Sequence, residues 1–114
     1  MIIIPEDAKA KLLANGELAK ARTDIDPMPV LKLFAPWDQR VWLISEMSPD
    51  DNDVLFGLVD LGVGDPEVGM IILSELGAIE GLGGLRVEID RYFRPNRTLN
   101  AYASDAAEAG RYVP

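Results

Sequence analysis

The sequence predicts an α+β fold: a mainly antiparallel sheet of four to five strands, with an N-terminal helix and one short helix after the fourth strand. Three observations predict it. Apolar runs of strand length recur from residue 30 to residue 90, each bounded by Pro, Gly, Asp or Asn. The first two runs are joined by little more than Trp37-Asp38-Gln39, which suits an antiparallel hairpin. The clear helical signals fall at the N-terminus and after the fourth run. At 114 residues with 48% hydrophobic and 26% charged content, the chain reads as globular and as one domain. A chain of this length buries about two thirds of its unfolded surface, so it needs no metal or disulfide staple.

Taken in order, Ile2 to Ile4 form a short strand or an apolar anchor. Pro5 suits a first helical position, and Glu6 and Asp7 favour the positive end of the helix dipole. The helix is expected over residues 5–15, with Gly16 as its C′ residue and Glu17 to Arg22 extending or restarting it. Asp26-Pro27 and Met28-Pro29 make residues 23–29 an extended link. Strands follow at 30–35 and 40–46, then a polar loop from Ser48 to Asp53. The third strand, residues 54–61, is nearly apolar on both faces, which marks it as central in the sheet or covered on each side. Gly57 inside it marks a bulge or a close backbone approach.

After a glycine-rich loop, residues 68–73 read as the fourth strand. Ser74 stands where a helix cap belongs, so Glu75 to Ile79 is expected to be helical. Gly81 to Gly84 ends that helix. Leu85 to Asp90 alternates apolar and charged residues, as a half-buried edge strand does. The compact domain is expected to span residues 1–97. Residues 98–114 read as a weakly ordered tail, with at most a helical turn near Ser104 to Ala109.

The charge is unevenly placed. Residues 41–85 carry nine acids and no Lys or Arg, whereas residues 1–40 balance six against six and residues 86–114 carry five bases and four acids. The stretch without bases therefore carries nine negative charges, and the single excess base after it brings the net charge to −8. Such acidity repels nucleic acid and anionic lipid, so direct nucleic-acid binding is disfavoured and a basic protein is the expected partner. No apolar run reaches the ~18 residues of a membrane span, and the opening Met1-Ile2-Ile3-Ile4-Pro5 is too short for a leader. A cytoplasmic protein that contacts no membrane is expected.

Several segments together resemble a known family. They are Lys32-Leu33-Phe34-Ala35-Pro36, Trp42-Leu43-Ile44-Ser45-Glu46, Leu55-Phe56-Gly57-Leu58-Val59-Asp60-Leu61-Gly62, Pro66-Glu67-Val68-Gly69, Leu73-Ser74-Glu75-Leu76, Gly84-Leu85 and Glu88 to Phe93. In order and spacing over residues 27–95, they are similar to the small bacterial proteins called domain of unknown function 2958. The chain departs at Glu88-Ile89-Asp90, where the family usually has Glu-Arg-Asp. The resemblance implies a compact α+β domain. It also implies a setting on plasmids, integrative elements and phages, near conjugation and defence-evasion genes. It implies no activity and no catalytic residues.

The residue inventory narrows the chemistry. With no Cys and no His, thiolate chemistry is absent, and so are the usual general base and the commonest metal ligand. No serine lies in a nucleophile elbow. Gly62 to Glu67 and Gly81 to Gly84 lack the remaining residues of a dinucleotide or phosphate loop. Glu46, Asp50, Asp51 and Asp53 are the best set for a hard cation, but their spacing fails the EF-hand loop. A small metal-dependent hydrolase there is one alternative, as is acid/base work by Glu46, Asp53 or Asp60. The expectation is no enzyme, no cofactor, no metal and no catalytic residue.

The favoured site is an acidic face of Glu46, Asp50, Asp51, Asp53, Asp60, Asp65 and Glu67 that meets a basic partner. In the mobile-element setting this partner would be a nucleic-acid-binding defence complex, and the chain an anti-CRISPR or anti-restriction inhibitor mimicking nucleic acid. A second patch, Arg91, Tyr92, Arg94 and Arg97 with Trp37, carries the alternative of a nucleic-acid accessory protein. Against it, Tyr92 and Phe93 could pack on the sheet while the arginines neutralise nearby acids.

Overall fold

The computed structural model describes residues 1–114. It is an α+β fold built on one five-stranded antiparallel sheet. Its elements are α1 (Glu6–Ala21), β1 (Leu31–Phe34), β2 (Val41–Met47), β3 (Val54–Asp60), β4 (Glu67–Ile72), α2 (Leu73–Ala78), β5 (Glu88–Ile89) and α3 (Leu99–Ala109). The strands lie in the order β4-β3-β2-β1-β5. Every pairing is antiparallel, and β1 and β2 form the expected hairpin.

The pleat sorts side chains onto two faces. On one, Leu31, Leu33, Trp42, Ile44, Leu55 and Ile71 pack with Leu12 of α1, Leu76 of α2 and Ile4. On the other, Leu43 and Leu58 pack with Leu99, Tyr102 and Ala106 of α3. The molecule thus has three layers: α1 and α2, the sheet, and α3.

Helix α1 runs past Gly16 to Ala21 instead of ending near residue 15. A Cβ at Gly16 would lie 2.0 Å from the Met47 carbonyl oxygen, so this glycine serves a close crossing and not a helix stop. The crossing is possible because β1 pairs only with Val41 to Ile44 of β2. The rest of the β2 edge is left to α1, whose Asn15 Nδ2 donates to the Ser45 carbonyl at 2.9 Å. Gly57 answers a close approach too, since a Cβ there would meet the Leu43 carbonyl oxygen at 1.9 Å. The bulge lies opposite, where the β2–β3 register shifts between Ile44 and Glu46.

Three further expectations change. Ser74 is not the cap of α2, which starts one residue earlier at Leu73. Asp53, from the loop before β3, accepts from the Ser74 backbone N–H (2.8 Å) and hydroxyl (2.6 Å), so the orphan donors of the first turn are met by a distant carboxylate. The edge strand shrinks to Glu88–Ile89. Residues 98–114 are not a weakly ordered tail. Thr98 caps α3 by accepting from the Ala101 N–H, and Gly110 ends the helix in the left-handed conformation (φ 75°). Alanine-rich α3 has few large apolar residues, but Leu99, Tyr102 and Ala106 share one face and are buried, which places the helix on the sheet.

Candidate functional site

Helix α3 is 11 residues long, or about 16 Å at 1.5 Å per residue, and it covers only part of its face of the sheet. Beyond it, the same face carries Phe56, Val68 and Met70, which are 38%, 37% and 70% exposed. Phe56 and Met70 are cross-strand partners, as are Leu58 and Val68. Strand β3 is central, as one of the two expected readings has it, but it is not covered on each side over its whole length, because the covering helix ends.

Glu46 stands at the centre of this open half, paired with Phe56 across the bulge. Its surroundings form a hollow of about 260 Å³, walled by Gly16, Ala19 and Lys20 of α1, by Pro49, and by Phe56 and Met70. Burial against these walls pushes the Glu46 carboxyl above its ordinary value, because desolvation penalises the charged form. Lys20 does not neutralise it: its ammonium reaches Asp50 at 3.0 Å.

The other expected acids are scattered. Asp60, 4% exposed, accepts from Gly62 N–H (2.8 Å) and Tyr112 N–H (2.7 Å), so it ties the C-terminal segment to the end of β3. Asp53 holds the first turn of α2, and Asp51 accepts from the Asp53 N–H at 3.0 Å. Asp65 and Glu67 are exposed beside the start of β4. Of the seven residues, Asp51, Asp53 and Asp60 serve the fold, Asp50 pairs with Lys20, and Glu46, Asp65 and Glu67 carry no internal partner.

No three acidic side chains converge on a point that could hold a metal ion. Asp53 and Asp60 bracket β3, about 23 Å apart at ~3.3 Å per residue, so they form no acid/base pair.

The basic–aromatic patch divides as well. Arg97 is structural: it pairs with Asp105, lies 4.1 Å from the Tyr102 ring centroid and donates to the Val113 carbonyl. Phe93 packs with the α3 cluster. Tyr92 is 90% exposed, and Arg91 and Arg94 flank a groove shared with Ile3, Asp7 and Asp90. Trp37 lies against Gly81, where a Cβ would meet its ring at 2.1 Å, and under the Arg40 guanidinium at 5.3 Å. It is half-buried and does not join the arginines.

Sequence reasoning missed Phe56, Val68 and Met70. Their alternation signals a strand face, but whether a helix covers that face depends on where α3 docks.

Fold and site together define a class: a small three-layer α+β domain whose central sheet leaves half of one face open around a partly buried carboxylate. The chain belongs to the family described as Protein of unknown function (DUF2958), which matches residues 3–113. The match includes α3, beyond the span over which the sequence motifs carry the resemblance. No curated protein and no solved structure matches the chain. No helix is long and apolar enough to cross a membrane.

Proposed function

We propose that this chain is a non-enzymatic binding module that engages a basic protein partner through the open half-face around Glu46. One observation carries the reading: an exposed apolar patch surrounds a partly buried carboxylate that makes no ion pair, in a stretch that contains no Lys or Arg. Apolar contact supplies affinity and uncompensated charge supplies partner choice. The finer form adds the mobile-element setting implied by the family. There the partner is a nucleic-acid-binding defence complex and the chain acts as its inhibitor, occupying a groove that normally receives phosphates.

The test is capture of candidate nucleases and effector complexes by the immobilised chain over a salt series, with DNA as competitor. The expected result is a basic partner released by salt and displaced by DNA. Binding indifferent to both refutes the mimic. A partner captured through the apolar patch alone, unaffected by Glu46→Gln, refutes the role of charge.

A second reading has its own observation, the exposed Tyr92 between Arg91 and Arg94. A nucleic-acid accessory role predicts a single-strand mobility shift at low salt that disappears when Arg91 and Arg94 become alanine. Absence of the shift removes it.

A further inference from the structure

Strand β4 is an edge of the sheet, bonded to β3 alone. In an antiparallel ladder, pairs that exchange hydrogen bonds alternate with pairs that do not. The Leu73 N–H donates to the Asp53 carbonyl at 2.9 Å, which sets the phase. Residues 67, 69 and 71 bond inward, Val68 and Met70 direct their N–H and C=O groups outward, and Ile72 directs its N–H outward while its C=O serves the N-cap of α2. None of these outward groups bonds to a loop, cap or turn of the chain.

Such edges are usually blunted by lysine, proline, a bulge or a covering element. Strand β4 has six regular residues and none of these devices. Gly69 adds a second observation. Its cross-strand partner Gly57 must be glycine because of the Leu43 carbonyl, whereas a Cβ at Gly69 would meet nothing within 4 Å. A strand glycine with no neighbour in its own chain leaves room for something outside it.

Charge selects the occupant. The edge begins at exposed Glu67, next to Asp65, inside the stretch without Lys or Arg. Pairing with a second copy would bring two such acidic edges together on chains of net charge −8. A basic strand meets the opposite situation.

We propose that the outer edge of β4 receives an extended segment of a basic partner as a sixth strand. The segment alternates apolar and basic residues: the apolar ones lie over Val68, Met70 and Phe56, and the basic ones on the opposite face, beside Glu67 and in the space over Gly69. This deepens the binding-module reading and rests on it. Main-chain hydrogen bonds supply affinity, and the alternation supplies specificity.

The test is hydrogen exchange resolved by residue on the full chain, with a peptide alternating valine and arginine and a second alternating valine and glutamate. The first is expected to slow exchange at Val68, Met70 and Ile72 by about tenfold or more, and the second to leave it unchanged. Met70→Pro, which removes an outward N–H, and Met70→Lys, which charges the edge, are each expected to abolish the protection while the spectrum of the fold persists. Unchanged exchange at the three amides overturns the proposal, as does equal protection by both peptides. Protection that grows with protein concentration and no peptide makes the occupant a second copy and overturns it too. A basic partner captured equally by wild-type and Met70→Pro chains refutes the edge and leaves the binding-module reading standing.

Discussion

Gly57 and Gly69 face each other across β3 and β4, share one residue type and one sheet face, and should respond oppositely to alanine. Alanine in place of a strand glycine reduces unfolded-state entropy and stabilises by about 0.4–1 kcal/mol where the native conformation accepts it. Gly69 accepts it, since the added carbon meets nothing within 4 Å, so Gly69→Ala should gain about 0.5 kcal/mol. At Gly57 the new carbon would lie 1.9 Å from the Leu43 carbonyl oxygen and 2.8 Å from its carbon. Both are backbone atoms of the central strand pair and cannot swing aside as a side-chain tip would. Overpacking of this kind costs about 1–3 kcal/mol, which outweighs the entropic gain and leaves Gly57→Ala destabilised by roughly 1–2 kcal/mol. The two variants should therefore differ by about 2 kcal/mol, or about 1 M in urea midpoint for a slope of ~1–3 kcal/mol per molar. Equilibrium urea unfolding followed by tryptophan fluorescence measures this, because Trp42 is buried in the same sheet. Equal midpoints, or Gly57→Ala more stable than wild type, would refute the assignment of Gly57 to the Leu43 contact.

Other outcomes follow from the same contacts. Gly16→Ala should destabilise by about 1–2 kcal/mol although alanine is the better helix former by ~1 kcal/mol, because the added carbon meets the Met47 carbonyl oxygen; a rise in the urea midpoint would contradict this. Asp60→Ala strands the Gly62 and Tyr112 N–H groups and should cost about 1–3 kcal/mol, with faster amide exchange at Tyr112 before the rest of the chain opens. Glu46→Gln tests the raised carboxyl. The folded chain holds this proton more tightly than the unfolded one, so the contribution of Glu46 to stability is fully present below the ordinary glutamate value of 4.5. That contribution is lost as pH rises through that value and then through the higher folded one. The Gln variant lacks this loss, so its stability relative to wild type should increase from acid to neutral pH, and a difference constant with pH would refute burial of the charge.

By itself the sequence determined the strands and their order in the chain. Apolar runs with period-two alternation and polar turns are local signals, and β1 to β4 lie within a residue or two of where those signals place them. It also determined the charge asymmetry, which is a matter of composition. It did not determine what its glycines were for. Gly16 reads locally as a helix stop, and only the crossing of α1 over the free end of β2 makes it an interior contact. Helix α3 was illegible for a related reason. Its alanines carry little hydrophobic signal, and its stability comes from Leu99, Tyr102 and Ala106 meeting Leu43 and Leu58, a contact across more than 40 positions of chain. The acidic face changed most. A run of carboxylates in sequence says nothing of direction, and the fold turned Asp53 and Asp60 to the service of its own backbone while leaving Glu46 partly buried in the hollow between α1 and the open sheet face. Tertiary structure alone decided which half of the sheet stayed open, because that depends on where an 11-residue helix stops covering a wider surface.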